Sequence, residues 1–110
     1  MADRAAVTWS ETAVKDLEAI LEYVAFHEDP ARAQTLYRTL RERIATLTRF
    51  PRRARVVPEL KAMGLTDFRE LLVRPYRIFF RLEGRTVVLL GVLDGRRDLD
   101  QLLIERALRL

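Results

Sequence analysis

The stretch from Arg69 to Asp98 leaves this chain few folds other than one built on three consecutive strands. Pro75 separates the first strand from the second, and Glu83-Gly84 supplies a tight turn before the third. Side chains alternate across a strand, so Arg77, Phe79 and Arg81 share one face of the middle strand. Tyr76, Ile78, Phe80 and Leu82 share the other. One face is wholly apolar or aromatic and must pack against something. The other carries two fixed cations around a ring, a pattern that an isolated domain does not need and that calls for a partner or for another reason, such as pairing with Glu70 across the sheet. The third strand, Val87 to Leu93, is apolar on both faces, as a central or doubly covered strand is.

Upstream, Ala5 to Trp9 reads as a short strand with Val7 and Trp9 on one face. Ser10 is placed as an N-cap, with Glu11 in the first turn, where the helix dipole favours a carboxylate. Ala13, Leu17, Ile20, Leu21 and Val24 recur at helical spacing and predict a helix from about Glu11 to Phe26. Asp29 and Pro30 supply the cap and first position of a second helix. Its apolar stripe of Ala33, Leu36, Tyr37, Leu40, Ile44 and Leu47 runs out near Phe50-Pro51. Arg52 to Thr66 has no clean period and reads as a connector with a helical turn around Glu59 to Met63. Asp98 to Leu108 reads as a short closing helix capped by Asp98.

These elements predict one α+β domain over residues 1–110. A helical hairpin packs on one face of an antiparallel sheet of three C-terminal strands, with an N-terminal strand and a short C-terminal helix completing a two-layer fold. The second sheet face is then open, or covered by something else.

Lys and Arg number 20 against 16 Asp and Glu, and only Lys15 and Lys61 are lysines. A planar, permanently charged guanidinium fork suits carboxylates and phosphates. The expected partner is therefore an acidic protein segment, a nucleic acid, or both. The absence of cysteine excludes disulfides and thiolate metal sites, and a single histidine excludes a multi-histidine centre. No metal or cofactor is expected. The N-terminal residues lack an apolar signal-peptide core, and no apolar run approaches the ~20 residues of a membrane helix. A soluble, cytoplasmic protein is expected.

Four pieces of sequence, in order, resemble the RelE/ParE superfamily of type II toxin–antitoxin toxins, most closely its ParE branch. They are Trp9-Ser10-Glu11-Thr12-Ala13 with Asp16-Leu17, Ile20 and Tyr23-Val24; Phe50-Pro51; Pro75 to Arg81; and Val92 to Asp98. The resemblance implies a cognate antitoxin that wraps the toxin surface, a toxin–antitoxin hetero-oligomer and a possible homodimer.

Two activities accompany this resemblance. The RelE-like branch cleaves mRNA on the ribosome, which needs a base for the ribose 2′-hydroxyl, cations for the phosphorane and an acid for the leaving oxygen. Its candidates here would be Arg77, Arg81, Arg96 and Arg97. However, Asp94 stands where many relatives have histidine, and no Tyr or His follows it. The ParE-like branch inhibits DNA gyrase and has no recognised catalytic constellation. The Asp16-Leu17 and Tyr23-Val24 pairs and the Gly95-Arg96-Arg97-Asp98 ending look closer to that branch. The sequence reading is therefore a gyrase-directed toxin with no catalytic residues, contacting antitoxin or target through Arg69, Arg77, Phe79, Arg81, Arg96 and Arg97. A ribosome-dependent endoribonuclease, or a non-toxic antitoxin-binding relative, is the alternative.

Overall fold

The computed structural model describes residues 4–108. Strand β1 (Ala6–Trp9) leads into helix α1 (Glu11–His27) and helix α2 (Pro30–Ala45). Two 3-10 turns, Thr46–Thr48 and Pro51–Arg53, follow, then a two-residue strand β2 (Arg55–Val56) and a one-turn helix α3 (Pro58–Lys61). Strands β3 (Phe68–Val73), β4 (Tyr76–Glu83) and β5 (Thr86–Asp94) come next, and helix α4 (Asp100–Leu108) ends the described chain. The α+β architecture read from the sequence is the one observed.

Both hairpin helices start where their caps dictate. Ser10 Oγ accepts the Ala13 N–H at 3.0 Å, and Asp29 Oδ1 accepts the Arg32 N–H at 2.9 Å. Helix α2 ends at Ala45, short of the predicted Phe50. Thr46 and Thr48 there donate their hydroxyls to Arg43 O and Ala45 O, and the chain tightens into 3-10 turns. Asp98 is not the cap of α4. It sits one residue too early, and its carboxylate accepts the Asp100 N–H at 3.3 Å.

The sheet has five strands in the order β1-β5-β4-β3-β2. The strands from β2 to β5 are antiparallel neighbours, while β1 returns parallel to β5, pairing Ala6 with Thr86 and Trp9 with Leu89. β5 is thus an internal strand, paired on both edges by β1 and β4 and covered on both faces, as its apolar composition predicts. A bulge opposite Phe79 and Phe80 pairs those residues with Gly91 and Leu89 and leaves Leu90 extra. The extra residue rephases β5. Val87, Leu89 and Val92 face the helical hairpin, while Leu90 and Leu93 face the opposite side.

Past the end of β1, side chains take over the backbone bonding of β5. Arg106 of α4 donates to Leu90 O at 2.8 Å, and Asp16 of α1 accepts the Val92 N–H at 3.0 Å. The two side chains also pair with each other at 2.9 Å. Gly91 lies beneath them, and a Cβ at that position would come within 2.6 Å of the Arg106 guanidinium.

The second sheet face is not open. On the hairpin side, Ala13, Leu40 and Ile44 pack on Ile78, Phe80 and Leu89. On the other side, Phe79, Phe68 and Leu93 pack against Leu60 of α3 and Leu103 of α4. Phe79, expected as a contact residue for a partner, is 0% exposed and belongs to this second core. The alternation across β4 was right, but this chain's own C-terminal helix and connector cover the face. Replacing a buried phenylalanine with alanine costs ~3–5 kcal/mol. Phe79→Ala is therefore expected to lower urea-unfolding stability by about that amount, and a loss below ~1 kcal/mol would show that the second core is not formed.

Candidate functional site

The β2–β3–β4 end of the sheet is organised around a buried carboxylate. Glu70 of β3 has a side-chain exposure of 0%. Strand pairing sets Arg55 directly opposite it on β2 and brings Arg77 of β4 alongside. Arg55 Nε donates to Glu70 Oε2 at 2.6 Å, and Arg77 Nε donates to Glu70 Oε1 at 2.6 Å. The two Nη atoms of Arg77 form a fork on Glu59, each at 2.7 Å. Pro58 starts the single turn of α3 and so places Glu59 over β4. The Arg77 hydrogen bond holds the Glu59 carboxyl below its usual range, against the opposing effect of burial. The same bond, with Glu70, raises the affinity of Arg77 for its proton. Every nitrogen of the Arg77 fork is thus committed inside the molecule, and the side chain is 11% exposed.

The remaining expected contact residues separate into two groups. Arg69 donates through Nη1 to Arg52 O at 3.2 Å and Ala54 O at 2.7 Å, so it fastens the connector to the sheet. Arg81 pairs with Glu83 and is partly buried. Its Nε has no hydrogen-bond partner among the described residues. Arg96 and Arg97, by contrast, lie exposed on the turn after β5. Arg96 forks onto Asp94 at 3.0 and 2.7 Å, and that pairing lowers the Asp94 pKa.

Arg77 and Arg96 line one cleft of about 470 Å³ between the β3–β4 turn and the end of β5, together with Arg55, Arg74 and Tyr76. Arg69 and Arg81 are not part of it. Gly95 closes the cleft, because its N–H reaches Pro75 O at 2.8 Å and a Cβ there would stand 2.9 Å from that same oxygen. Arg74 was not anticipated as a site residue. Its place before Pro75 in a turn between two strands was the available signal.

The cleft offers little for acid–base chemistry. Asp94 is shifted down, and Tyr76 is pushed up by burial and by the nearby Asp94 charge. His27 lies elsewhere, exposed at the end of α1, stacked on Tyr23 with its Nδ1 3.1 Å from Tyr23 O. Among the described residues, no three His, Asp or Glu side chains are grouped as metal ligands, and no helix is long and apolar enough to cross a membrane.

A family model described as the ParE toxin of the type II toxin–antitoxin system parDE matches residues 7–99. The chain is also similar to a solved structure described as a chromosomal ParDE toxin–antitoxin system from P. aeruginosa. The identity is 22% and the TM-score 0.66, over 83% of this chain and 96% of that one. Comparison with curated protein sequences finds no match.

Removing one partner of a buried ion pair leaves an uncompensated charge and costs ~3–5 kcal/mol. Arg77→Ala should lose about that much stability, whereas Arg96→Ala should leave the thermal midpoint unchanged. Equal effects would place Arg77 in solvent. Because the Glu59 pKa is lowered on folding, the unfolded chain binds its proton more readily. The stability Glu59 contributes is complete above its ordinary value of 4.5 and is lost as pH falls through the lowered folded value. Urea midpoints followed down through pH 4.5 should fall less steeply in Glu59→Gln than in the parent protein.

Proposed function

The chain belongs to the ParE toxin family of type II toxin–antitoxin systems, and on that premise we propose that it arrests growth by acting on DNA gyrase, without bond-making chemistry of its own. A cognate antitoxin holds it inactive in the cytoplasm.

One observation carries the choice of gyrase over mRNA cleavage. A general acid or base works best with a pKa near the operating pH. Next to the cleft lined by Arg77 and Arg96, Asp94 and Glu59 are shifted down, while Tyr76 and Arg77 in its lining are shifted up. Arg74 and Arg96, both exposed in the cleft, can bind an anion, but none of these four shifted groups is tuned to move a proton.

Among the six contact residues expected from sequence, we assign Arg96 and Arg97 to partner binding and Arg69, Arg77 and Phe79 to scaffolding. Arg81, paired with Glu83, stays at the margin. Arg74 joins the contact group because it is exposed and lines the same cleft. Tyr23 and Phe26, 61% and 85% exposed, add apolar surface on α1, and Tyr23 lies within electrostatic range of Arg96. Cationic turns beside exposed aromatics suit an antitoxin segment that carries carboxylates and apolar anchors.

Produced without its antitoxin, the protein should stop growth with filamentation and a DNA-damage response. The purified toxin should inhibit gyrase supercoiling and accumulate cleaved DNA. Growth arrest accompanied by mRNA cuts at ribosomal A sites, with gyrase unaffected, would instead make it a ribonuclease. Charge reversal of Arg96 and Arg97 together should weaken antitoxin binding at least tenfold by calorimetry at an unchanged thermal midpoint. Unaltered affinity would remove that turn from the interface.

A further inference from the structure

A second basic cleft, of about 460 Å³, lies at the opposite end of β4. Tyr76 lines the first cleft and Leu82 the second, six residues along one strand, or roughly 20 Å at ~3.3 Å per residue. The floor of the second cleft is apolar, made by Phe50, Pro51 and Leu82. Its rim carries Arg4, Arg49, Arg52 and Arg53, all exposed. Among the described residues, no carboxylate forms a salt bridge with any of those four. The Arg53 guanidinium instead lies 4.0 Å from the centre of the Phe50 ring, which is 47% exposed.

This rim is held in place. Arg69 bonds to Arg52 O and Ala54 O, and the Ala5 N–H donates to Thr48 O at 2.8 Å. The basic loop is therefore tied to β3 and to the segment leading into β1, and its guanidinium groups are presented from a fixed backbone.

We infer that this cleft binds single-stranded nucleic acid, with the rim arginines on backbone phosphates and the Phe50–Arg53 pair as the platform on which a base stacks. The lining favours this ligand over an acidic peptide. Among the described residues, its side chains are Arg, Ala, Phe, Pro, Leu and Gly, which offer donors and apolar surface but no acceptor. A peptide backbone brings N–H groups that need acceptors. A polynucleotide backbone brings only phosphate and sugar oxygens, and every base has an apolar face for stacking. Among the described residues, the lining side chains also include no hydroxyl, amide or carboxylate to read a 2′-hydroxyl, so DNA and RNA strands bind alike. The assignment is independent of the target at the other cleft.

Fluorescence anisotropy with labelled twelve-residue oligothymidylate and oligouridylate tests it. Both strands should bind within about threefold of each other. With about four phosphates neutralised, the log–log salt slope should be roughly −3. Arg52→Glu with Arg53→Glu should weaken binding at least tenfold, and Phe50→Ala about fivefold or more. The charge-matched control, Lys15→Glu with Arg38→Glu on exposed positions of the helical hairpin, should change affinity less than twofold. Circular dichroism verifies that each variant is folded. Three results would each overturn the assignment. They are no salt-dependent binding, equal losses in the control and rim variants, and displacement of the oligonucleotide by polyglutamate at equal charge concentration.

Discussion

A carboxylate with none of its side chain in water sets the terms for half of this molecule. Glu70 needs donors, and a buried charge without them costs several kcal/mol. Arg55 and Arg77 supply those donors from the strands on either side. Arg77 in turn needs a second carboxylate for its remaining nitrogens, and the single turn of α3 provides Glu59. A connector with little intrinsic structure is thereby pulled across the sheet. Once it is there, Leu60 helps cover Phe79, and α4 closes the rest of that core. Such a network adds less net stability than its bond count suggests. Its consequence is positional, since it decides which arginines remain for other molecules.

That sorting divides the cations by location. Guanidinium groups in the middle of the sheet are spent on internal carboxylates and carbonyls, as in Arg77 and Arg69. Those at the two ends of β4 remain accessible: Arg74, Arg96 and Arg97 at one end, Arg49, Arg52 and Arg53 at the other. The proposed function has this chain covered by an antitoxin and released to a target. Rigid scaffolding at the centre with charged turns at the rim suits that exchange, because rim charges govern encounter rate while the fold stays unperturbed.

Local signals were legible in the sequence. Ser10 and Asp29 cap the helices they were expected to cap, since a cap needs only a side chain and an amide three residues away. The doubly apolar run of β5 announced a strand covered on both faces. Long-range commitments were not legible. Arg77 finds Glu59 18 residues upstream, and Arg106 finds Asp16 90 residues away. Alternating Arg-Phe-Arg looks the same whether the face meets solvent, a partner or the chain's own helix. Only the folded positions of Glu59 and Leu103 distinguish these cases. The two-residue β2 was too short to show any period, so its role in delivering Arg55 was read as connector.

The most direct test of this account is the hydrogen exchange of the Arg77 Nε–H in the antitoxin-free protein, followed by nitrogen-15 NMR of the arginine side chains. The Arg77 signal should be resolved from those of the exposed arginines and exchange far more slowly than that of Arg97, because it is bonded to a carboxylate that water does not reach. Exchange of Arg77 at the rate of an exposed arginine would mean that the strand face stands open and that its cations are free for a partner after all.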